Sequence, residues 1–441
     1  MNTQTVKKFD VTHKMVLGLA LPITLAYLTT PLLGLVDLAV VGRMGSATLI
    51  AGLAVGAIIV DMLFALFAFL RMGTTGLTSQ AFGANNNKEV QAILIRALVI
   101  AFIAGVIILL LNPLIIWAGL YFINPGEEVA KVVPQYLSVR LFGTPFSLAN
   151  YALLGWLIGL GRSGLGLLLQ ILLNGTNIVL SILLGLTFNY GFVGVAWATL
   201  IAEVFAFLCG AFICWQLLDK TERPNKQSIF QKAAMLRLAN VNIDIMIRSF
   251  ALLFAFAFFT AQGAKFGELT LAANAVLMNF FLIGGYFLDG LATAAEQIVG
   301  RAIGANYKPA FWRGLKLTMF WNFLLGVFLS AALYVFGTQL IALITTLDFV
   351  QNEANKYLLL AALTPLSGFL AFQMDGVFIG ATWSRDMSLL MLASVAIYLA
   401  SWFLFMPLQN LGLWLAIHIF LLSRGVLLCL RVLPNVRKTF S

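Results

Sequence analysis

AFGAN, Ala81 to Asn85, returns as AIGAN, Ala302 to Asn306, displaced by 221 residues (302 minus 81). The same displacement carries Ala51, Ala54 and Val55 onto Ala272, Ala275 and Val276, and Gly159 and Ser163 onto Gly380 and Ser384. Identities that recur at one spacing mark an internal duplication, so the 441 residues read as two homologous halves. Near the midpoint lies the longest polar stretch, DKTERPNKQSIFQK from Asp219 to Lys232. The expected division is therefore an N-terminal lobe over 1–218, a linker over 219–232 and a C-terminal lobe over 233–441.

Each half has to live in lipid. The chain is 61% hydrophobic and 10% charged, too few polar residues to clothe a water-soluble globule of this size. Apolar stretches close to the ~20 residues that cross a bilayer recur from end to end, and helices satisfy their own backbone there. Helices are expected near 14–41, 47–71, 91–120, 130–160, 165–187, 190–218, 233–262, 268–300, 312–345, 353–382, 387–408 and 410–433. The fold class is thus an all-α integral membrane protein, twelve transmembrane helices in two pseudo-symmetric six-helix lobes. An even number per half makes the two halves a parallel repeat. The first apolar segment runs a full span without a small-residue cleavage site, and is expected to be retained as helix 1. Cys209, Cys214 and Cys429 sit in apolar segments without a CxxC pair, which suggests free buried thiols and no metal site.

The formal charge of +10 acquires meaning from its distribution. On this topology Arg43, Lys131, Lys265 and Lys356 fall on one side, and Arg71, Arg140, Arg248 and Arg424 inside helices. The remaining 19 of 27 basic residues, Lys7, Lys8 and Lys220 among them, fall on the other side. The positive-inside rule then places both termini in the cytoplasm of a bacterial cell (inner) membrane protein, and the charge is an orientation signal, with no nucleic-acid partner implied.

Seven of the 17 carboxylates lie well inside predicted helices: Asp37, Asp61, Glu203, Asp244, Asp289, Glu296 and Asp375. Each costs roughly 3 kcal/mol at the bilayer centre unless it pairs, protonates or meets water. Asp244 precedes Arg248 by four residues, the favoured order for an intrahelical ion pair. Asp289 and Glu296, seven apart, share a helix face and serve either structural pairing or a polar patch. Asp61 and Glu203 lack a cation nearby in sequence, although Arg71 or Arg140 could reach either in the fold. Asp37 stands alone on helix 1, ~22 Å along the helix from Pro22. Pro22 and Pro31 each remove a backbone hydrogen bond from that helix, so it has built-in positions for bending. Burial disfavours a charged carboxylate, so a lone acid on a bendable helix is a candidate proton-operated switch.

PLLGLVDLAVVGRMG (Pro31–Gly45), FLRMGTTGLTSQAFGANN (Phe69–Asn86), LLGWLIGLGRS (Leu153–Ser163) and MDGVFIGAT (Met374–Thr382) together resemble the MATE family, in its DinF-like branch. The resemblance covers nearly the whole chain. It implies efflux of small organic, often cationic, compounds against a proton or sodium gradient, with Asp37 as principal coupling residue and Pro22 as the helix 1 bending point. It further implies that Asn177, Ser181 and Thr199 face Asp37. Relatives carry an acid where this chain has Ser181, and one fewer negative charge weakens a sodium site and favours protons. Asp375 matches an acid used for sodium in another branch, so it joins Asp61 and Glu203 as a secondary candidate.

The reading is a proton-coupled multidrug antiporter, with no cofactor beyond the coupling ion H+ (or Na+), working as a monomer by alternating access. A sodium-coupled antiporter and a lipid-linked precursor flippase of the same superfamily are the transporter alternatives. A membrane enzyme is disfavoured, since only His13 and His418 occur and neither HExxH nor GxSxG appears. A passive channel would need a repeated pore filter, which is not seen.

Overall fold

In a computed structural model, residues 9–188, 190–219 and 221–440 are described, and they are helical with no strand among them. Lys7, Lys8 and Lys220 of the basic set lie outside the described residues. Helix 1 spans His13–Gly42; helix 2 is Ala47–Leu66 continued by Phe69–Gly83; helix 3 is Asn87–Leu110, followed by a short apolar helix, Asn112–Ile123. Helix 4 comprises Glu127–Phe142 and Thr144–Gly159, and helix 5 Ser163–Ile182 plus a π-helical turn, Leu183–Thr187. Helix 6 is Gly191–Leu217, helix 7 Lys232–Ala264, helix 8 Glu268–Gly304 and helix 9 Lys308–Val335, with Gly337–Ile344 after it. Helix 10 joins Asp348–Ala362 to Thr364–Gly380, helix 11 is Ser384–Phe405 and helix 12 Gln409–Thr439.

The count of twelve follows from geometry. Ser384–Thr439 as one straight helix would be ~84 Å long, far beyond a bilayer. Instead a 3-10 turn at Met406–Leu408 and Gln409, with φ 53°, reverse the chain, and helices 11 and 12 pack on each other. Helices 4 and 10 bend by 49° and 41° at Gly143 and Leu363. Each break precedes Thr-Pro, where the ring removes an N–H and disfavours helix in the residue before it. Sequence periodicity read both as continuous spans, because one turn of broken helix leaves the apolar run intact.

The duplication reappears as paired geometry. Asn85 and Asn306 have φ 52° and 49°, and Gly161 and Thr382, again 221 apart, have φ 74° and 54°. Gly155 lies against the Arg71 carbonyl and Gly376 against the Ala292 carbonyl, so a methyl at either would be driven into that oxygen. The positions on both sides of each contact differ by 221.

By compactness the chain forms two units, one of residues 25–82 and 86–242, the other of the described residues before 25, residues 83–85 and those from 243. The first has its core on Val41, Leu53, Tyr136, Leu137 and Phe192, and the second on Phe259, Phe280, Tyr398, Trp414 and Phe420. Within the first, the 219–232 segment is fastened to helix 3. Arg96, 2% exposed, donates to Ile229 O at 2.6 Å and Ser228 O at 2.8 Å, while Gln91 reaches Asp219 O and Glu222 O. Leu110, Phe328 and Leu404 are exposed large side chains on spanning helices, as a lipid-facing surface requires.

Candidate functional site

Helix 5 is apolar apart from amides and hydroxyls that recur on one face, where Asn174, Asn177 and Ser181 follow the i, i+3, i+7 rule. That face meets helix 1 through two polar rungs. Asn174 Nδ2 donates to Thr29 Oγ1 at 2.6 Å, and Ser181 Oγ donates to Asp37 Oδ1 at 2.7 Å. Eight residues separate the rungs on helix 1 and seven on helix 5, two turns in the same sense, so the helices run parallel here. The π-helical turn begins two residues after Ser181, and inside it Gly185 lets helix 1 approach: a Cβ there would sit 2.7 Å from Val40 Cγ1.

Asp37 is 8% exposed and Ser181 and Asn177 are fully buried. Ser181 Oγ also lies 3.0 Å from the Asn177 side-chain oxygen, but a hydroxyl has one proton for two acceptors. The Asn177 Nδ2 atom is meanwhile buried without a hydrogen-bond partner among the described residues. Turning the amide lets it donate to Ser181, whose proton then goes to Asp37; amide orientation is set by such networks. Thr199 is buried on helix 6, yet its hydroxyl donates to Val195 O at 3.1 Å in its own helix, and no hydrogen bond joins it to Asp37 among the described residues. Helix 1 is continuous through Pro22, with Thr24 Oγ1 donating to Ala20 O at 3.0 Å beside it.

The other N-terminal candidates separate. Glu203 is ion-paired: Arg140 Nη1 donates to its Oε1 at 2.9 Å, both side chains are almost fully buried, and Asn150 Nδ2 donates to the Glu203 carbonyl at 2.9 Å. Gly143, the break in helix 4, faces the Glu203 carboxylate directly, where a methyl would not fit. Asp61 is exposed and makes no hydrogen bond or ion pair among the described residues, although it and Asp37 lie within electrostatic reach of Arg140. Arg71 stands over the Tyr27 ring at 5.7 Å.

In the other unit Asp375 takes hydrogen bonds on Oδ2 from both Arg248 and Arg424, all three buried. This corrects the expected intrahelical pair. Asp244 instead accepts from Ser384 Oγ at 2.7 Å, while Arg248 turns to a carboxylate on helix 10, because a buried guanidinium needs a buried anion more than an exposed turn does. Asp289 lies within electrostatic reach of Arg424, and Glu296 is buried. Sequence reasoning did not single out Thr29 and Asn174; their signal was an amide amid apolar residues one turn before Asn177 and a hydroxyl two residues before Pro31.

The MatE family pattern matches residues 22–183 and 245–403. DNA damage-inducible protein F of Escherichia coli K12 is 36% identical over 409 residues, covering 92% of this chain and 89% of its own. A probable multidrug resistance protein NorM of Bacillus cereus is 24% identical over 419 residues, covering 89% of each. A crystal structure of a MATE protein in the bent conformation superposes with TM-score 0.88 over 97% of each chain at 19% identity, which bears on the fold. Two family matches, one on each half of a duplicated helical membrane chain, leave one conclusion: this chain belongs to the MatE family and is a multi-pass membrane transporter, not an enzyme.

Proposed function

We propose that this transporter exports small organic compounds, often cationic, in exchange for protons by alternating access, with protonation of Asp37 rearranging helix 1. The observation that carries the reading is the buried Asp37–Ser181–Asn177 hydrogen-bonded run, in which the carboxylate's hydrogen-bond partner among the described residues is a neutral hydroxyl. Such a chain serves both protonation states. Ionised, Asp37 accepts from Ser181, which accepts from the turned Asn177 amide; protonated, Asp37 donates to Ser181, which donates to the Asn177 oxygen. No hydrogen bond is lost, so what changes is the charge itself. Neutralising it removes the attraction for a substrate cation and the coulombic link to Arg140, and that difference is available to shift helix 1.

Protons are favoured over sodium because Asp37 is the one carboxylate of the Asp37–Ser181–Asn177 trio, with Ser181 where a second acid would strengthen a metal site. At Asp375 two guanidiniums already occupy the carboxylate and repel a further cation. Pro22 is the proposed bending point, since a proline inside a helix supplies no N–H to the turn before it. We further place the chain in a bacterial inner membrane as a monomer with both termini cytoplasmic, divided into lobes over 1–218 and 233–441 by the 219–232 linker.

Purified protein in liposomes, driven first by a pH gradient and then by a sodium gradient, tests this with a fluorescent organic cation. Transport should follow the pH gradient and be lost in Asp37→Asn. A requirement for sodium, or an undiminished Asp37→Asn variant, would sink the mechanism, and movement of a lipid-linked precursor in place of the cation would establish the flippase alternative.

A further inference from the structure

Helix 10 breaks where Pro365 has no N–H for the carbonyl four residues back. Side chains reach the carbonyls around the break, of which Leu360 O also takes the Leu363 N–H at 3.2 Å. Thr364 Oγ1 donates to Ala361 O at 2.7 Å, and His418 of helix 12 places Nε2 3.0 Å from Leu360 O. A carbonyl only accepts, so Nε2 carries a proton, and in the neutral ring Nδ1 is an acceptor. Ser367 Oγ lies 2.8 Å from Nδ1 and 3.2 Å from Thr364 O. The serine proton therefore has two stations: Nδ1 when the ring is neutral, and Thr364 O when Nδ1 is itself protonated and donates to the serine. The ring can take up a proton without losing a hydrogen bond.

At the matching break in the other half, Gly143, the polar group alongside is the Arg140–Glu203 ion pair. Beside the helix 10 break stands instead a histidine, the side chain whose ordinary charge change falls between about pH 5 and 8. We propose that His418 is a second proton-responsive position, one that sets the bend of helix 10. It acts through Leu360 and Ser367 and is a positioning residue.

The charged groups on neighbouring elements are committed elsewhere. On helix 10, Glu353 pairs with Lys356, and Asp375 with Arg248 of helix 7 and Arg424 of helix 12. On helix 11, Asp386 holds Arg431, and Ser384 donates to Asp244 of helix 7. Helix 8 contributes Glu268, Tyr286, Glu296, Arg301 and Asp289, the last in reach of Arg424. The remaining titratable or charged groups of helices 10 and 11 are Asp348, Tyr357, Arg385 and Tyr398. None of these bonds to His418 among the described residues, whose ring contacts are Ser367 and Leu360. An imidazolium without an anionic partner is disfavoured away from water, so protonation loosens the break and admits solvent to it.

Hydrogen–deuterium exchange of the full-length protein in lipid nanodiscs, read over residues 355–370 at about pH 5.5 and about pH 8 and corrected for intrinsic rates, tests this across the histidine range. The wild type should exchange several-fold faster at the lower pH. His418→Gln keeps an N–H for Leu360 O and an oxygen for Ser367 but takes up no proton, so its exchange should be the same at both. A wild type without the response, or a Gln variant that retains it, would overturn the proposal. Should His418→Gln fail to fold, Ser367→Ala removes the Nδ1 partner and leaves the Leu360 bond; a ratio of exchange between the two pH values unchanged from wild type would overturn it equally. The readout needs no transport, and Asp37→Asn should keep it, so this inference and the Asp37 reading fail separately.

Discussion

Asp37 and Glu203 are both buried acids on helices of one lobe, and their partners give them opposite characters. Glu203 is neutralised by Arg140, and removing one member of such a pair leaves a buried charge alone, a loss of about 3–5 kcal/mol. Arg140→Ala and Glu203→Gln should therefore each lower the thermal midpoint of the purified protein markedly, while Asp37→Asn, which swaps a hydrogen-bonded acid for its amide, should leave it near wild type. An Asp37→Asn protein as unstable as Glu203→Gln would make Asp37 a structural residue. Asp37 was legible as a lone acid on a proline-bearing helix, and the resemblance supplied Asn177 and Ser181. Arg140 was one of two arginines able to reach Glu203 or Asp61, and the structure gives it to Glu203; the partner of Arg248 was not legible, since Asp375 is 127 residues away and only folding decides between such a partner and one four residues away.

Helices here are shaped by where their backbones touch. The duplicated glycines Gly155 and Gly376 put two helix backbones in contact, whereas Gly164 and Gly175 of helix 5 face open space. Gly155→Ala and Gly376→Ala should each destabilise by about 1–3 kcal/mol as overpacking does, while Gly175→Ala should be neutral or add up to about 1 kcal/mol from helix propensity. Thermal unfolding of the three variants in one detergent checks the contrast; equal midpoints would mean the paired contact carries no strain. At this scale the existence of the spans was readable from apolar length. Their interruptions at Gly143 and Leu363, and the short helices at Asn112–Ile123 and Gly337–Ile344, were not. A break that spares the hydrophobic run leaves no mark on hydropathy, and Thr-Pro is common at ordinary helix starts.

For the whole molecule, the repeat at 221 residues specified two like halves, and their φ angles and glycine contacts repeat at that spacing. Orientation in the membrane rests on a different kind of argument, the asymmetry of 19 basic residues against 4 between the two sides of the twelve-helix topology. Lys131, before the bend of helix 4, belongs to the sparse side, and Arg223, in the segment clamped by Arg96 and Gln91, belongs to the dense side. In a background with Cys209, Cys214 and Cys429 replaced by serine, Lys131→Cys should react with a membrane-impermeant maleimide added to intact cells. Arg223→Cys should react only after the membrane is opened. The reverse pattern would invert the topology, and with it the direction in which a proton entering at Asp37 would move: a carboxylate in the outer half loads from the acidic side of an energised membrane, whereas the same group facing inward would have to release protons uphill.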